Sequence, residues 1–249
     1  MRRRLRKVFA ACDIVYTISE NQKEYLRQRF GDKFKVLTKY AEFDKSNKPA
    51  GFRPHVPLRM LYTGNLGSGR YSSIGLIVKA LRQVNVHEQR IVFDIYTSTV
   101  LSEKLRSRLN TAETTLHDAV SFEKVLELQR RADILVHVEG LSLKERLDVA
   151  HSFSTKIVDY LQQCKPIFVV GKDDCASIRY FTDNDSGIVA QNYDEIVRKL
   201  TAVAASPEIL EDYAEKAWTC GEKNHRKSIH QEALKNDLFN VVKQTNKTR

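Results

Sequence analysis

The sequence predicts an α/β protein with a doubly wound parallel sheet. Three observations carry that prediction. Apolar strand-like runs alternate with amphipathic helical patterns, the order that βαβ units require. The 249 residues are 42% hydrophobic, enough to cover a sheet on both faces. No fixed-period repeat or low-complexity tract interrupts the alternation.

In chain order, "MRRRLRK" opens a basic helix ending near Ala11, followed by a strand in "DIVYTIS". A helix in "ENQKEYLRQRFG" should stop at Gly31, and "FKVLTKY" reads as a second strand. Residues 41–57 hold Pro49, Gly51, Pro54 and Pro57 among polar residues, the composition of a connector. The main domain boundary is placed there.

From Leu58 the units sharpen. "LRMLYTG", "RIVFDIYT", "AVSF", "DILVHVE", "PIFVVG" and "SGIVA" read as strands. "YSSIGLIVKALRQV", "SEKLRSRLN", "EKVLELQRRA", "STKIVDYLQQC", "ASIRYFTDN" and "YDEIVRKLTAVAA" read as the intervening helices. Two helical patterns close the chain, the first signalled by Ser206 and Pro207.

Composition bounds the function. The longest apolar runs, Ile134 to Val138 and Ile167 to Val170, fall far short of the roughly 20 residues that span a bilayer. The apolar stretch Val8 to Cys12 is too short for a secretory signal, so a cytoplasmic location is expected. Four separated cysteines with no C-x-x-C pair suggest neither a zinc site nor a disulfide framework. His117, His137, His151 and Glu139 are not read as a metal or acid–base site, and no metal is expected. The net charge of +10 suits phosphate-bearing ligands, anionic lipid or nucleic acid. No nucleic-acid-binding signature accompanies it, so nucleic acid is not expected as a partner. "MRRRLRK" fits either peripheral contact with a membrane surface or the exposed side of a helix.

In an open α/β sheet, ligands lie beyond the carboxyl ends of the strands. Two such junctions carry chemistry. "GNLGSGR", Gly64 to Arg70, follows a strand and precedes a helix, so its backbone can approach an anion and Arg70 adds a planar fork. It matches neither the P-loop nor the dinucleotide fingerprint, and a glycine turn without a ligand is the alternative. In "HSFSTKIVDYLQQC", a helix from Ser154 places Ile157, Leu161 and Cys164 on its packed face. Asp159 then lies about 160° from Leu161, on the side of Thr155. It either faces water or accepts hydrogen bonds from a ligand's vicinal hydroxyls. Cys164 reads as a packed thiol.

Taken in order, "DIVYTIS", "LYTGNLGSGR", "RADILVHVE", "FSTKIVDYLQQCKPIFVVG" and "NDSGIVA" resemble the nucleotide-sugar-binding half of retaining GT-B glycosyltransferases, the group 1 or family-four type. The resemblance runs from Ala11 to Asn236. It implies a Rossmann-like sheet with C-terminal helices, the C-terminal half of a GT-B fold. The implied divisions are residues 1–40 as a remnant of the acceptor lobe, 41–57 as the connector, 58–226 as the donor domain, and 227–249 as the cross-over helix and tail.

The resemblance also assigns roles. Gly64, Asn65 and Arg70 stand at the family's diphosphate loop, with Asn65 in place of the usual arginine and Arg70 in place of a lysine. Lys156 adds charge, and the Ser154 and Thr155 amides lie near the phosphates. Val120, Ser121 and Phe122 hold the base, with Glu123 where a glycine is usual. The family's two glutamates fall on His151, near the transferred sugar, and Asp159, on the ribose hydroxyls.

The implied activity is transfer of a hexosyl-type group from a UDP- or GDP-sugar to a glycan or lipid-linked acceptor, without metal, in polysaccharide or glycoconjugate synthesis. Most of the acceptor lobe is not in the sequence, which implies a truncated or split transferase paired with a separate lobe or with another copy. A non-catalytic subunit with a decayed donor site is the alternative.

Overall fold

The computed structural model describes residues 2–49 and 51–247. The first helix, α1 (Arg2–Ala10), leads to β1 (Val15–Thr17), α2 (Glu20–Phe30) and β2 (Phe34–Val36). Strands β1 and β2 form a separate two-stranded parallel sheet. Phe9 packs edge-on against Phe30 and Phe34, with ring centroids 4.9 and 5.2 Å away. The Lys33 ammonium donates to the Phe9 and Cys12 carbonyls at 2.7 and 2.6 Å, placing a cation at the end of α1 where carbonyls lack helical partners. Helix α2 starts on the side chain of Ser19, which accepts from the Gln22 amide, and ends at Gly31 with φ 96°.

The second sheet has six strands: β3 (Leu58–Thr63), β4 (Ile91–Thr97), β5 (Thr114–Asp118), β6 (Ile134–Val138), β7 (Ile167–Val170) and β8 (Ile188–Ala190). Their order is β5-β4-β3-β6-β7-β8, and every neighbouring pair is parallel. The chain winds outward from β3 to β5, then returns to pair β6 with β3 and winds the other way. The topological switch point therefore lies between β3 and β6. The chain is α/β with a Rossmann-like doubly wound sheet, as the alternation predicts.

Side-chain alternation divides the core by face. Met60, Tyr62, Val136, Val138 and Phe168 belong to one buried cluster, completed by α3 (Arg70–Val84) and α9 (Tyr193–Ala205). Leu61, Leu135, Ile167 and Val169 belong to the other, completed by α7 (Lys156–Gln162), α8 (Ala176–Asp183) and α10 (Ile209–His225). Helices α4 (Glu103–Leu109), α5 (Phe122–Arg131) and α6 (Leu143–Val149) fill the remaining crossovers.

The second predicted strand stops at Val36, and three larger departures from the expectations follow. "AVSF" is not a strand. The β-branched and apolar run just before it forms β5, while the Ser121 hydroxyl accepts the Lys124 amide and starts α5 at Phe122. Helix α6 occupies a segment with no predicted element; a capping box between Ser142 and Glu145 starts it. Helix α7 begins at Lys156, two residues after Ser154, and ends before Cys164, which is buried at φ 51° beyond the helix.

Within the connector, a short 3-10 turn forms at Lys45–Asn47. The connector's Phe43 is 1% exposed and meets Trp218 edge-on at 5.2 Å. A Cβ at Gly221 would come within 2.3 Å of the Phe43 ring, so α10 needs a glycine there. Ala41 and Arg226 form a parallel bridge. Beyond it α11 (Lys227–Lys247) returns to the first sheet, where Asp237 pairs with Lys35 and accepts from the Tyr16 hydroxyl at 3.0 Å. Among the described residues, no helix is long and apolar enough to cross a membrane.

Candidate functional site

At the switch point, beyond the carboxyl ends of β3 and β6, lies a cavity of about 300 Å³. Gly64, Asn65, Arg70, Ser154 and Lys156, all predicted from sequence, line it. Tyr62, His137 and Val138 complete the wall. Strand β3 delivers Tyr62, the glycine loop delivers Arg70 at the first turn of α3, β6 delivers His137, and the start of α7 delivers Lys156.

The loop is shaped by close approach. A Cβ on Gly64 would lie 2.1 Å from the Lys156 ammonium, so only glycine lets that cation reach the carboxyl end of β3, where it donates to the Thr63 carbonyl at 2.8 Å. Gly69, at φ 80°, packs against the Glu145 carboxyl group and is the N-cap of α3. Asn65 serves the loop itself: its side-chain oxygen accepts the Gly67 amide, and its carbonyl accepts the Tyr62 hydroxyl at 2.6 Å.

Two cations and one acid dominate the electrostatics. The Arg70 guanidinium donates to the Glu139 carboxylate at 2.8 Å. The Glu139 side chain is only 3% exposed. Burial raises the Glu139 carboxyl above its ordinary range, while Arg70 and Lys156 oppose that shift. Burial first, and Arg70 second, push Lys156 down to about 8 against the opposing pull of Glu139 and Asp159. His137 is pushed down to about 3 by burial, Lys156 and Arg70, so it is neutral at physiological pH. Its Nε2 stands 3.6 Å from Glu139 and has no hydrogen-bond partner. Positive charge at a hollow of this kind suits an anion.

The other predicted residues lie around this cavity. The Ser154 amide donates to the Ser177 hydroxyl at 3.2 Å, so that donor is already engaged. Thr155 is the N-cap of α7, without a side-chain cap bond. Asp159 lies outside the cavity lining; its carboxylate stands 2.5 Å from the Lys39 ammonium. Its neighbours Ile157, Val158, Tyr160 and Leu161 are buried, while the Asp159 side chain keeps 17% exposure.

Val120, Ser121 and Phe122 lie past the end of β5, the edge strand two places from β3. Val120 and Phe122 are exposed. His151 sits between α6 and α7, where its carbonyl accepts the Ser19 hydroxyl at 2.9 Å and its ring meets Tyr25 at 4.4 Å. Its Nδ1 has no hydrogen-bond partner.

Sequence reasoning gave Glu139, His137 and Tyr62 no part in this site. A signal for Glu139 was present: an acid directly following a mainly apolar central strand at the ligand-bearing edge. A second hollow of about 370 Å³ lies between α2 and α8, walled by Phe153, Tyr180 and His225. Its arginine, Arg179, is engaged with the Asp173 carbonyl at 2.8 Å. Among the described residues, no group of three or more histidine, cysteine, aspartate or glutamate side chains is arranged to hold a metal ion.

No protein-family model matches the chain, and no curated protein matches it by sequence. Solved structures match by fold, and the structural neighbours are GT-B glycosyltransferases. A mutant of S. aureus TarM in a complex that includes UDP superposes with a TM-score of 0.69 at 12% identity, covering 94% of this chain and 45% of that one. A glycosyltransferase from Rickettsia africae gives 0.69 at 13% identity, covering 94% and 66%. Anabaena HepE in complex with UDP and glucose gives 0.68 at 11% identity, covering 96% and 68%. The chain thus spans about half to two thirds of the length of these enzymes and has the fold of one part of them.

Proposed function

We propose that this chain is the nucleotide-sugar-binding half of a retaining, metal-independent glycosyltransferase of the family-four type. One observation carries the reading: Arg70 and Lys156, from opposite sides of the switch point, converge on a single cavity at the carboxyl edge of the sheet. A nucleoside diphosphate needs that disposition of charge. The fold shared with glycosyltransferases whose structures hold UDP supports it.

In this reading Arg70 and Lys156 bind the diphosphate and stabilise its developing charge as the glycosyl bond breaks, the electrostatic contribution that dominates many such reactions. Gly64 and Asn65 shape the loop so that both cations reach the ligand. Asp159 accepts the ribose hydroxyls by exchanging its partner Lys39 for them. The chain at Val120 to Phe122 borders the base. His151 lies toward the transferred sugar, beside Tyr25. The acceptor, a glycan or lipid-linked sugar, belongs to a separate lobe or to another copy, and the basic α1 supplies a contact for a membrane's inner face.

A non-catalytic donor-site subunit is the second reading. It is favoured by the engagement of Asn65 within its own loop and by the packing of His151 on Tyr25. Equilibrium titration of UDP, GDP, UDP-glucose and GDP-mannose tests the shared premise, and release of free sugar from the bound donor separates the two readings. Saturable binding to wild type, weakened at least tenfold in Asp159→Ala, supports the site; no binding by folded wild type rejects it. Binding without any glycosyl transfer or donor hydrolysis, even with candidate acceptor lobes added, selects the non-catalytic reading.

A further inference from the structure

The cavity contains an acid where an anion is to bind. Glu139 directly follows β6, and its backbone is pinned on both sides. Its amide donates to the Val170 carbonyl at 2.9 Å, and its own carbonyl accepts the Ser73 hydroxyl at 2.7 Å. The carboxylate is held by Arg70 at 2.8 Å, with His137 Nε2 at 3.6 Å. A diphosphate taking the Arg70 guanidinium would bring negative charge into a site where a buried carboxylate already holds that partner. Two like charges sharing one cation at a buried carboxylate disfavour each other, which drives the weaker acid toward its protonated form.

We infer that Glu139 is a built-in counter-anion of the cradle: it pairs with Arg70 until a diphosphate replaces it, and it takes up one proton when that happens. Glu139 is then a positioning residue. It holds the guanidinium extended toward the ligand site, and it sets a pH dependence on binding. This inference rests on the reading of the cavity as a diphosphate site.

The groups facing Glu139 determine where the proton count is informative. Arg70 comes from α3, Lys156 from α7 with Asp159 behind it, Tyr62 from β3, His137 from β6 itself, and Cys175 from the turn before α8. Lys156, at about 8, is already charged at pH 6. Tyr62 and Cys175 are both shifted upward by burial and keep their protons there. Glu139, raised by burial, is the acid of this group whose shift places it to gain a proton when a second anion arrives. His137 is the competitor to be separated.

The experiment is calorimetric titration of UDP-glucose or GDP-mannose at pH 6 in two buffers of different ionisation enthalpy. The diphosphate diester of a nucleotide sugar does not titrate in this range, so protons counted are the protein's. Wild type is expected to take up close to one proton, with affinity falling up to about tenfold per pH unit where uptake is complete. Glu139→Gln is expected to abolish the uptake at pH 6 and to bind about tenfold tighter at pH 7.5, since the like charge is gone. His137→Gln is expected to retain the uptake, and Glu139→Ser provides a smaller replacement should the glutamine variant not fold.

Ligand binding with no proton uptake by wild type overturns the inference and leaves the diphosphate site standing. Uptake that persists in the Glu139 variants, or disappears in His137→Gln, also overturns it. Failure of folded wild type to bind any nucleotide sugar removes the diphosphate reading and this inference with it.

Discussion

The Lys39 ammonium lies 2.5 Å from the Asp159 carboxylate, joining the segment after β2 to the helix that borders the candidate donor site. Asp159 is the more protected partner, at 17% side-chain exposure against 35% for Lys39. The pair therefore links two sequence-distant segments through the one side chain proposed to hold ribose.

Replacing Lys39 by methionine removes the competitor while keeping an apolar stem. Because the pair is partly exposed and screened, its loss should cost no more than about 1 kcal/mol in urea denaturation. Nucleotide affinity should rise severalfold, and the preference for UDP over 2′-deoxy-UDP should grow. Equal affinities for the two nucleotides in both proteins would place ribose away from Asp159.

Gly221 and Gly64 are each sterically blocked, but by neighbours of different kinds. At Gly221 the obstacle is the buried Phe43 ring, within 2.3 Å of a new Cβ. Gly221→Ala should destabilise the fold by about 1–3 kcal/mol through overpacking. At Gly64 the obstacle is the far end of Lys156. Gly64→Ala should displace that ammonium from Thr63, lose some stability to backbone strain at φ 156° and weaken nucleotide binding. Chemical denaturation and titration of both variants check the contrast.

Two buried histidines set an acid limit on stability. His137 is pushed down to about 3 and His225 to about 4, in both cases chiefly by burial. Between those values and the ordinary 6.5 the unfolded chain binds more protons than the folded one, so stability is lost as pH falls through this window. The slope should approach about 1.4 kcal/mol per pH unit for each histidine where its proton difference is complete. His225→Gln should flatten the fall in thermal midpoint between pH 6.5 and 4.

Lys156 acts at the other end of the range. Its position near 8, against 10.5 in the unfolded chain, means that the unfolded state binds the extra proton between those values. Its contribution to stability therefore rises with pH across that window. Diphosphate binding needs the charged form, so affinity should fall as pH rises above 8 while the fold itself becomes no weaker through this group. Titrations at pH 7, 8 and 9 in wild type and Lys156→Arg separate the lysine from other bases.

Most of the architecture was legible because its signals are local. The alternation of apolar runs with helical patterns marked the six-stranded sheet, and Gly64 to Arg70 marked the turn at its centre. The boundaries of β5 and α5 were misplaced because Ser121 acts as a helix cap, which its apolar neighbours obscure in the sequence. Helix α6 was missed because only one turn separates its capping box from its end. Glu139 and His137 were passed over because their importance comes from the strand order: pairing β6 with β3 sets Glu139 beside Arg70, 69 residues away. Lys39 likewise meets Asp159 from 120 residues away, which nothing in either segment announces.

The central claim is that Arg70 and Lys156 together bind a nucleoside diphosphate, and the most direct test is titration of UDP and GDP against wild type, Arg70→Lys and Lys156→Met at pH 7. Charge-assisted contacts of this kind contribute about 1.5–3 kcal/mol each. Lys156→Met should therefore weaken binding by about 10- to 100-fold. Arg70→Lys should lose the planar fork, keep the charge and fall between the two. Equal binding by all three folded proteins, or none by wild type, would contradict the account.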